Sequence, residues 1–238
     1  MVTIASDQIA NQQILATAAC QAGVRRFLPS EFGHNSARLK EGTVLAGLLA
    51  GKAAMTKFLS KLADEDEAKN FSWTGVATSP FFDWGLDHGV FGIDLAKRTV
   101  RMVDSGTEKV SASSLRFVGE AVVAVLRKEE ETKNRMVEVV EFTVCQNQVV
   151  ALVEEAAGCK LVREEGVPTG QELEKAAEDK LAKGDYGGAF FDALLAWNFK
   201  DGGVHAVPEG ELDNELLGLK ARDVRDVVRE YVKEREGK

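Results

Sequence analysis

The residue best placed for chemistry in this sequence is a lysine within an apolar helical pattern. At 100° per residue, Lys52 falls near the middle of the apolar stripe of its segment. An ammonium in that position either extends its stem until the charge reaches water, or works inside a polar crevice. Both alternatives are open, whereas Lys57 and Lys61 point to the opposite face and are expected at the surface. The stripe consists of Leu45, Leu48, Met55, Leu59 and Leu62.

Two turn-rich segments follow apolar strand patterns and could form a crevice. The first is "PSEFG" at 29–33, where Pro29 ends the preceding strand and Gly33 permits a backbone angle that other residues avoid. The second is "TSPFFDWG" at 78–85. Because ligands bind outside the carboxyl ends of parallel strands, we expect the two segments to meet at one sheet edge and hold a flat ligand. The alternative is two ordinary turns with core aromatics.

The three histidines are weaker candidates. His34 follows the first turn and is a candidate acid or substrate contact, or an ordinary loop histidine. His88, in "GLDHGVFG", either lines a substrate lobe or lies in a glycine-rich loop, and His205 is expected in a surface loop. No grouping of histidine, cysteine and acidic residues has metal-ligand spacing, so we expect no metal site.

The elements that must position these residues alternate between strand and helix. Over the first 80 residues the pattern reads strand, helix, strand, helix, strand, which predicts an α/β fold with a parallel sheet. Ile9, Ile14, Leu15, Ala18 and Ala22 mark the apolar face of the first helix. We predict strands at 1–5, 24–28, 72–78 and 134–143, a hairpin or strand and turn at 99–111, and helices at 6–22, 44–62, 112–128, 143–158, 171–183, 187–199 and 220–235. Thr143 is the expected cap of the helix at 143–158, and Gly158 is its expected stop.

Bulk composition narrows the class of protein. The chain has 238 residues, 45% of them hydrophobic, and a formal net charge of −8 without a basic stripe, which argues against nucleic-acid binding. Its three cysteines follow no metal spacing and are typical of free thiols in a reducing compartment. The N-terminus does not resemble a signal peptide, and no apolar run reaches 18 residues. We therefore expect a soluble, cytoplasmic protein that does not engage a membrane.

Several motifs together carry a family resemblance. They are "GVRRFLPSEFG", "AGKAAMTKFL", "WTGVATSPFFDWGL", "FTVCQNQVVALVEEAAG" and "ELLGLKARDV". The chain resembles the isoflavone reductase-like group of the NmrA-like family, atypical short-chain dehydrogenases, and it is most similar to fungal members. The resemblance implies a Rossmann-like domain that binds NADP(H), a smaller C-terminal lobe for a small-molecule substrate, and hydride transfer to an aromatic or conjugated carbonyl or alkene. It places residues 1–80 and 108–143 in the first domain, and 81–107 and 144–238 in the substrate lobe.

The resemblance also assigns roles to individual residues. Lys52 matches the active-site lysine of the family, and Phe81 matches the aromatic residue that packs near the nicotinamide. The remaining cofactor contacts are Ser79 and Pro80 beside Phe81, and Ser30, Glu31, Phe32 and Gly33 on the opposite wall. His34 and His88 are the expected substrate contacts.

The chain departs from the family pattern in two places. Leu48 occupies the position, four residues before the lysine, where classical short-chain dehydrogenases have a tyrosine. The sequence also contains no G-x-x-G-x-x-G loop, and "MVTIA" resembles the fourth strand of the family, so roughly 60–80 residues of nucleotide-binding structure are expected to be missing. We therefore predict an impaired reductase that binds NADPH weakly. A dinucleotide-sensing regulator without catalysis and an inert fragment are the alternatives.

Overall fold

The computed structural model describes residues 1, 9, 11–66, 70–166, 168–203 and 205–236. The strand predicted at 1–5 falls almost wholly outside these residues. The chain divides into two compact units. The first comprises 1–79, 118–139 and 211–219, and the second comprises 80–117, 140–210 and 220–238.

Short strands and longer helices alternate along the chain. The strands are β1 (Arg26–Phe27), β2 (Ser72–Ala77), β3 (Ile93–Asp94), β4 (Thr99–Val100), β5 (Lys109–Ala112), β6 (Arg135–Glu138), β7 (Phe142–Cys145) and β8 (Val162–Arg163). The helices are α1 (Gln12–Gln21), α2 (Val44–Leu48), α3 (Ala50–Glu65), α4 (Phe82–Asp87), α5 (Leu115–Arg127), α6 (Glu129–Thr132), α7 (Gln146–Ala157), α8 (Gly170–Ala182), α9 (Tyr186–Phe199), α10 (Asn214–Leu217) and α11 (Val224–Glu236). Short 3₁₀ turns occupy Ser36–Arg38 and Glu209–Glu211.

The first unit is built on a parallel sheet in the order β1-β2-β6. Arg26 pairs with Ser72, and Gly75 pairs with Met136, both in parallel register. One face of this sheet packs against α1 and α3 in a core that contains Ala16, Phe27, Met55, Leu59, Ala63, Phe71 and Trp73. The predicted α/β class with a Rossmann-like parallel sheet is confirmed.

The buried face of α1 differs from the predicted one. Ile14 and Leu15 are exposed, at 71% and 45%, while Gln12 and Ala16 are completely buried. Ile9, which was also predicted on this face, is 3% exposed and packs over Gly51 of α3, where an added Cβ would come within 2.9 Å of its Cγ2. Within α1 the small residue Ala16 enters the core shared with α3, where larger apolar residues were expected.

The helix predicted at 44–62 is two helices. α2 begins after Thr43, whose side chain accepts a hydrogen bond from the Ala46 amide, and it ends at Leu48. Leu49, at φ −100° and ψ 7°, interrupts the helical geometry before α3 begins. Gly47 and Gly51 flank this break, and glycine is a weak helix former, so the local sequence does not oppose the interruption.

The second unit contains two small sheets. β3 and β4 form an antiparallel hairpin, β8 pairs in parallel with β4, and β5 pairs antiparallel with β7. The strand predicted at 134–143 is two strands, since β6 belongs to the first unit and β7 to the second. The predicted cap Thr143 is wrong: it lies within β7, and Cys145 precedes α7. Gly158 ends α7 at φ +60°, as predicted.

The helices predicted near 171–183, 187–199 and 220–235 are confirmed as α8, α9 and α11. Among the helices that the structure describes, none combines the length and hydropathy needed to cross a membrane.

Candidate functional site

The "PSEFG" segment forms a tight turn directly after β1. Pro29 is buried, and its carbonyl accepts a hydrogen bond from the Glu31 amide at 2.8 Å. Gly33 has φ +104°, a conformation that side chains with a Cβ rarely adopt. The glycine was predicted to permit an unusual angle, and the structure confirms it. The turn therefore redirects the chain within a few residues of the sheet edge.

Hydrogen bonds join this turn to the end of β2. The Gly33 amide donates to Thr78 Oγ1 at 3.0 Å, and the Thr78 amide donates to the Gly33 carbonyl at 3.0 Å. Thr78 Oγ1 also donates to the carbonyl of Ser79, which is 3% exposed and has φ +55°. The predicted meeting of the two strand ends at one sheet edge is confirmed.

The carboxyl end of β6 reaches the same segment. Glu138 Oε2 accepts hydrogen bonds from Asn35 Nδ2 at 3.0 Å and from Arg38 Nε at 2.7 Å. Asn35 follows the turn, and its own side chain caps the 3₁₀ turn at Ser36–Arg38. The ends of three strands thus converge on residues 29–38.

Two residues that sequence reasoning missed fix the turn in place. Thr78 provides the hydroxyl described above, and Gln12 Oε1 accepts the Ser30 amide at 2.7 Å. Gln12 is completely buried at the start of α1. The available signal was a polar side chain on a helix face that otherwise consists of small residues.

Lys52 points inward, and its charge does not reach bulk water. The residue is 7% exposed, and Nζ donates a hydrogen bond to the Phe32 carbonyl at 2.6 Å. A Cβ built on Gly33 would lie 3.9 Å from this nitrogen and would meet nothing nearer. Lys57 and Lys61 are exposed, as predicted. The buried face of α3 therefore places an ammonium group at the turn after β1.

Glu31, predicted to line the cofactor wall, has a completely buried side chain, and neither carboxylate oxygen has a hydrogen-bond partner among the described residues. Its Cγ lies 3.4 Å from the position that a Cβ on Gly75 would take, whereas the Met136 side chain lies nearer to that position. The Glu31 side chain thus packs over β2 at Gly75.

The two buried charges alter each other's protonation. Burial raises the pKa of Glu31 to about 7, although the Lys52 ammonium and the nearby Ser36 side chain both favour the ionised carboxylate. Burial lowers the pKa of Lys52, and the Glu31 charge opposes that change. The turn therefore contains two buried titratable groups whose charges influence each other.

The remaining predicted site residues lie in the second unit. Pro80 is buried, its carbonyl accepts the Ser113 amide at 3.1 Å, and Phe81 is partly exposed. His88 is exposed and stacks on Trp84 with ring centroids 4.0 Å apart. It lines a cleft of about 680 Å³ within that unit. The structure thus brings together Glu31, Phe32, Gly33, Lys52 and Ser79 through the hydrogen bonds described above, with Ser30 and His34 adjoining them in the same turn.

Within the described residues, no cluster of three or more histidine, cysteine or acidic side chains could hold a metal ion.

Sequence comparison identifies the family. Residues 1–183 match the NmrA-like family. The chain belongs to the NmrA-like family. This agrees with the resemblance to its isoflavone reductase-like group. Among curated relatives, oxidoreductase poxI of Penicillium oxalicum is 28% identical over 224 residues, covering 92% of this chain and 69% of the relative. Oxidoreductase aprR of Aspergillus flavus is 27% identical over 233 residues, covering 97% and 75%.

Several solved structures share the fold of this chain. The binary complex of leucoanthocyanidin reductase with NADPH from Vitis vinifera aligns with a TM-score of 0.69 at 20% identity, covering 97% of this chain and 76% of the other. Isoflavone reductase aligns with a TM-score of 0.69 at 19% identity, covering 94% and 71%. These likenesses show the shared fold, and the first of the two structures is a complex with NADPH.

The turn after β1 was predicted to contact the nicotinamide end of such a cofactor. An ammonium has three N–H donors, of which one in Lys52 binds the Phe32 carbonyl, and donors of this kind suit ribose hydroxyls or a polar nicotinamide group. The phosphate end has no counterpart of the glycine-rich loop in the 238 residues.

Proposed function

We propose that this protein is an NADP(H)-dependent reductase that transfers a hydride to a small aromatic or conjugated substrate. The observation that carries the proposal is the buried Lys52 ammonium, held 2.6 Å from the Phe32 carbonyl at the convergence of three strand ends. Burying a lysine ammonium in an apolar face lowers the free energy of unfolding. Such a cost is compatible with a function that needs the charge at this position. The oxidoreductase relatives and the NADPH-bound structural neighbour support the same reaction class.

In this proposal the bound cofactor supplies the hydride, and the chain positions the reactants. Lys52 donates a hydrogen bond or a proton to the oxygen that gains negative charge. The proposed cofactor contacts are Ser30, Phe32, Gly33, Ser79, Pro80 and Phe81, and the proposed substrate contacts are His34 and His88. Residues 1–80 and 108–143 form the proposed nucleotide-binding domain, and 81–107 with 144–238 the substrate lobe. The three free cysteines suit a reducing compartment such as the cytoplasm.

The test replaces the lysine in a form of the protein equipped for cofactor binding. The chain is fused behind the glycine-rich strand–helix segment of a family member, and NADPH oxidation is followed with a panel of aromatic and conjugated carbonyl compounds. Lys52→Met, which suits the apolar face, should lower kcat by about 100-fold or more, since positioned acid–base groups contribute that much.

Lys57→Met on the exposed side of the same helix is the matched control, and it should leave kcat unchanged. Unchanged turnover in Lys52→Met would contradict the proposed catalytic residue. Tight NADPH binding without turnover of any compound would favour the regulator instead.

A further inference from the structure

The Glu31 carboxyl group is buried next to the proposed catalytic lysine but is not used by the mechanism above. It is completely buried and has no hydrogen-bond partner among the described residues. An ionised carboxylate in that setting is strongly disfavoured unless a positive charge compensates it. Lys52 supplies such a charge from the same turn, because its ammonium binds the carbonyl of the residue that follows Glu31.

The other charged side chains near Glu31 and Lys52 have partners of their own. Arg38 and Glu138 are paired with each other at 2.7 Å, and Ser36 is the additional group that favours the Glu31 anion. His34, on the same turn, is the remaining titratable side chain to be controlled.

The fold gives the carboxylate this position at a cost in packing. Residue 75 of β2 is a glycine, and a Cβ there would overlap Met136 Sδ and lie 3.4 Å from Glu31 Cγ. The Met136 side chain would therefore have to move before any larger residue fitted there, while Glu31 packs over the same glycine. The arrangement keeps a carboxyl group inside the sheet face, in the turn that Lys52 binds, where an apolar side chain would pack more favourably.

We propose that Glu31 is a positioning residue whose buried charge controls the protonation state of Lys52. The inference rests on the proposed function and assigns Glu31 a role other than lining the cofactor wall.

In a turnover with a carbonyl substrate, hydride addition leaves an oxyanion, and the Lys52 ammonium gives that oxygen a proton. This leaves a neutral alcohol and a neutral Lys52 amine, and a proton taken up from solvent restores the ammonium before the next turnover. The negative charge of Glu31 favours that uptake.

The decisive experiment titrates Lys52 in the chain as it exists, without cofactor. Protein labelled with ¹³C-lysine is followed by NMR from about pH 5 to about pH 11, a range that includes the usual lysine pKa. The Lys52 signal is assigned by its absence in Lys52→Met. In Glu31→Gln, which keeps size and shape, loss of the carboxylate charge should move the Lys52 midpoint to lower pH by about one unit or more.

The exposed Lys57 serves as the internal control and should titrate identically in both proteins. His34→Gln should leave the Lys52 midpoint in place, which excludes the histidine as the source of the effect. Circular dichroism and thermal unfolding confirm that each variant is folded.

The reciprocal measurement keeps the proposal testable if Glu31→Gln does not fold. The carboxyl group of Glu31, labelled with ¹³C, should titrate at higher pH in Lys52→Met than in the parent protein, because a coupling between two sites acts in both directions. A Glu31 or Lys52 midpoint that does not move in its partner's variant would overturn the pairing. A different result would separate the two proposals. If Lys52→Met does not change turnover, but each midpoint still moves in its partner's variant, the proposed function is contradicted and the pairing stands.

Discussion

At the residue scale, the Glu31–Lys52 pair should give the free energy of unfolding an unusual dependence on pH. The folded-state pKa of Glu31, about 7, lies above its ordinary value of 4.5, so the folded protein binds more protons than the unfolded chain between these pH values. The contribution of Glu31 to the free energy of unfolding is therefore fully present below pH 4.5 and is lost as the pH rises to about 7. The pKa of Lys52 is lowered in the folded protein, so its contribution to the free energy of unfolding increases as the pH rises on the alkaline side.

The predicted result is a minimum near neutral pH in the contribution of this pair to stability. At about 1.4 kcal/mol per pKa unit, the acidic limb amounts to about 3 kcal/mol. Urea unfolding from pH 4.5 to 9 measures it as the difference between the parent protein and Glu31→Gln/Lys52→Met. The double variant removes both titrations, so titration of the remaining carboxylates cancels. A difference that stays constant from pH 4.5 to 7 would show that Glu31 has its ordinary pKa in the folded protein.

The two members of this pair also show what the sequence could and could not predict. The inward position of Lys52 could be predicted because the helical period is read from neighbouring residues alone. A charged residue that falls on the apolar face of that period is easily recognised. The burial of Glu31 could not be predicted, because it depends on packing against β2, an element distant in sequence. Gln12 was missed for the same kind of reason, since its partner, the Ser30 amide, lies beyond the end of the helix.

At the element scale, the β3–β4 hairpin should depend strongly on one glycine. Gly92 has φ +74°, and a Cβ there would overlap the carbonyl oxygen of Arg101 and press on the side-chain amide of Gln146. That amide is buried and donates to the Phe91 and Arg101 carbonyls, which joins the start of α7 to the hairpin. Gly92→Ala therefore adds both backbone strain and a clash with backbone that cannot move aside cheaply.

We expect Gly92→Ala to lower the free energy of unfolding by about 2–4 kcal/mol in urea titrations. Gly89→Ala is the matched control, because Gly89 has nearly the same φ, +72°, with no heavy atom within 4 Å of its added Cβ. It should cost only the strain, about 1–2 kcal/mol. Equal losses in the two variants would mean that the clash is relieved and that Gln146 does not hold the hairpin.

Element types were more predictable than element limits and faces. The alternation of strand and helix patterns correctly indicated a parallel sheet, and α8, α9 and α11 were predicted close to their observed bounds. The division of 134–143 into β6 and β7 was not visible, since each half pairs with a strand distant in sequence. Likewise, the burial of Gln12 and Ala16 in place of Ile14 and Leu15 depends on what α1 packs against, which local hydrophobicity does not report.

At the scale of the whole molecule, the chain should bind NADPH weakly on its own. The turn after β1 and Lys52 are the proposed contacts for the nicotinamide end, whereas the 238 residues contain no G-x-x-G-x-x-G loop for the pyrophosphate. Hydrogen bonds to a charged group contribute about 1.5–3 kcal/mol each, so the loss of two or three removes roughly 3–9 kcal/mol. At about 1.4 kcal/mol per tenfold change, micromolar affinity becomes millimolar or weaker.

The charge of the molecule does not compensate for this loss, because a net charge of −8 provides no general attraction for a polyphosphate. Isothermal titration calorimetry of the chain with NADPH should show no saturation below roughly millimolar concentration. The same chain fused behind a glycine-rich strand–helix segment is the positive control, and it should bind at micromolar concentration if the nicotinamide end is intact. Saturable binding of NADPH by the unfused chain at low micromolar concentration would contradict the prediction. It would also mean that other groups in these residues, outside any glycine-rich loop, hold the phosphates.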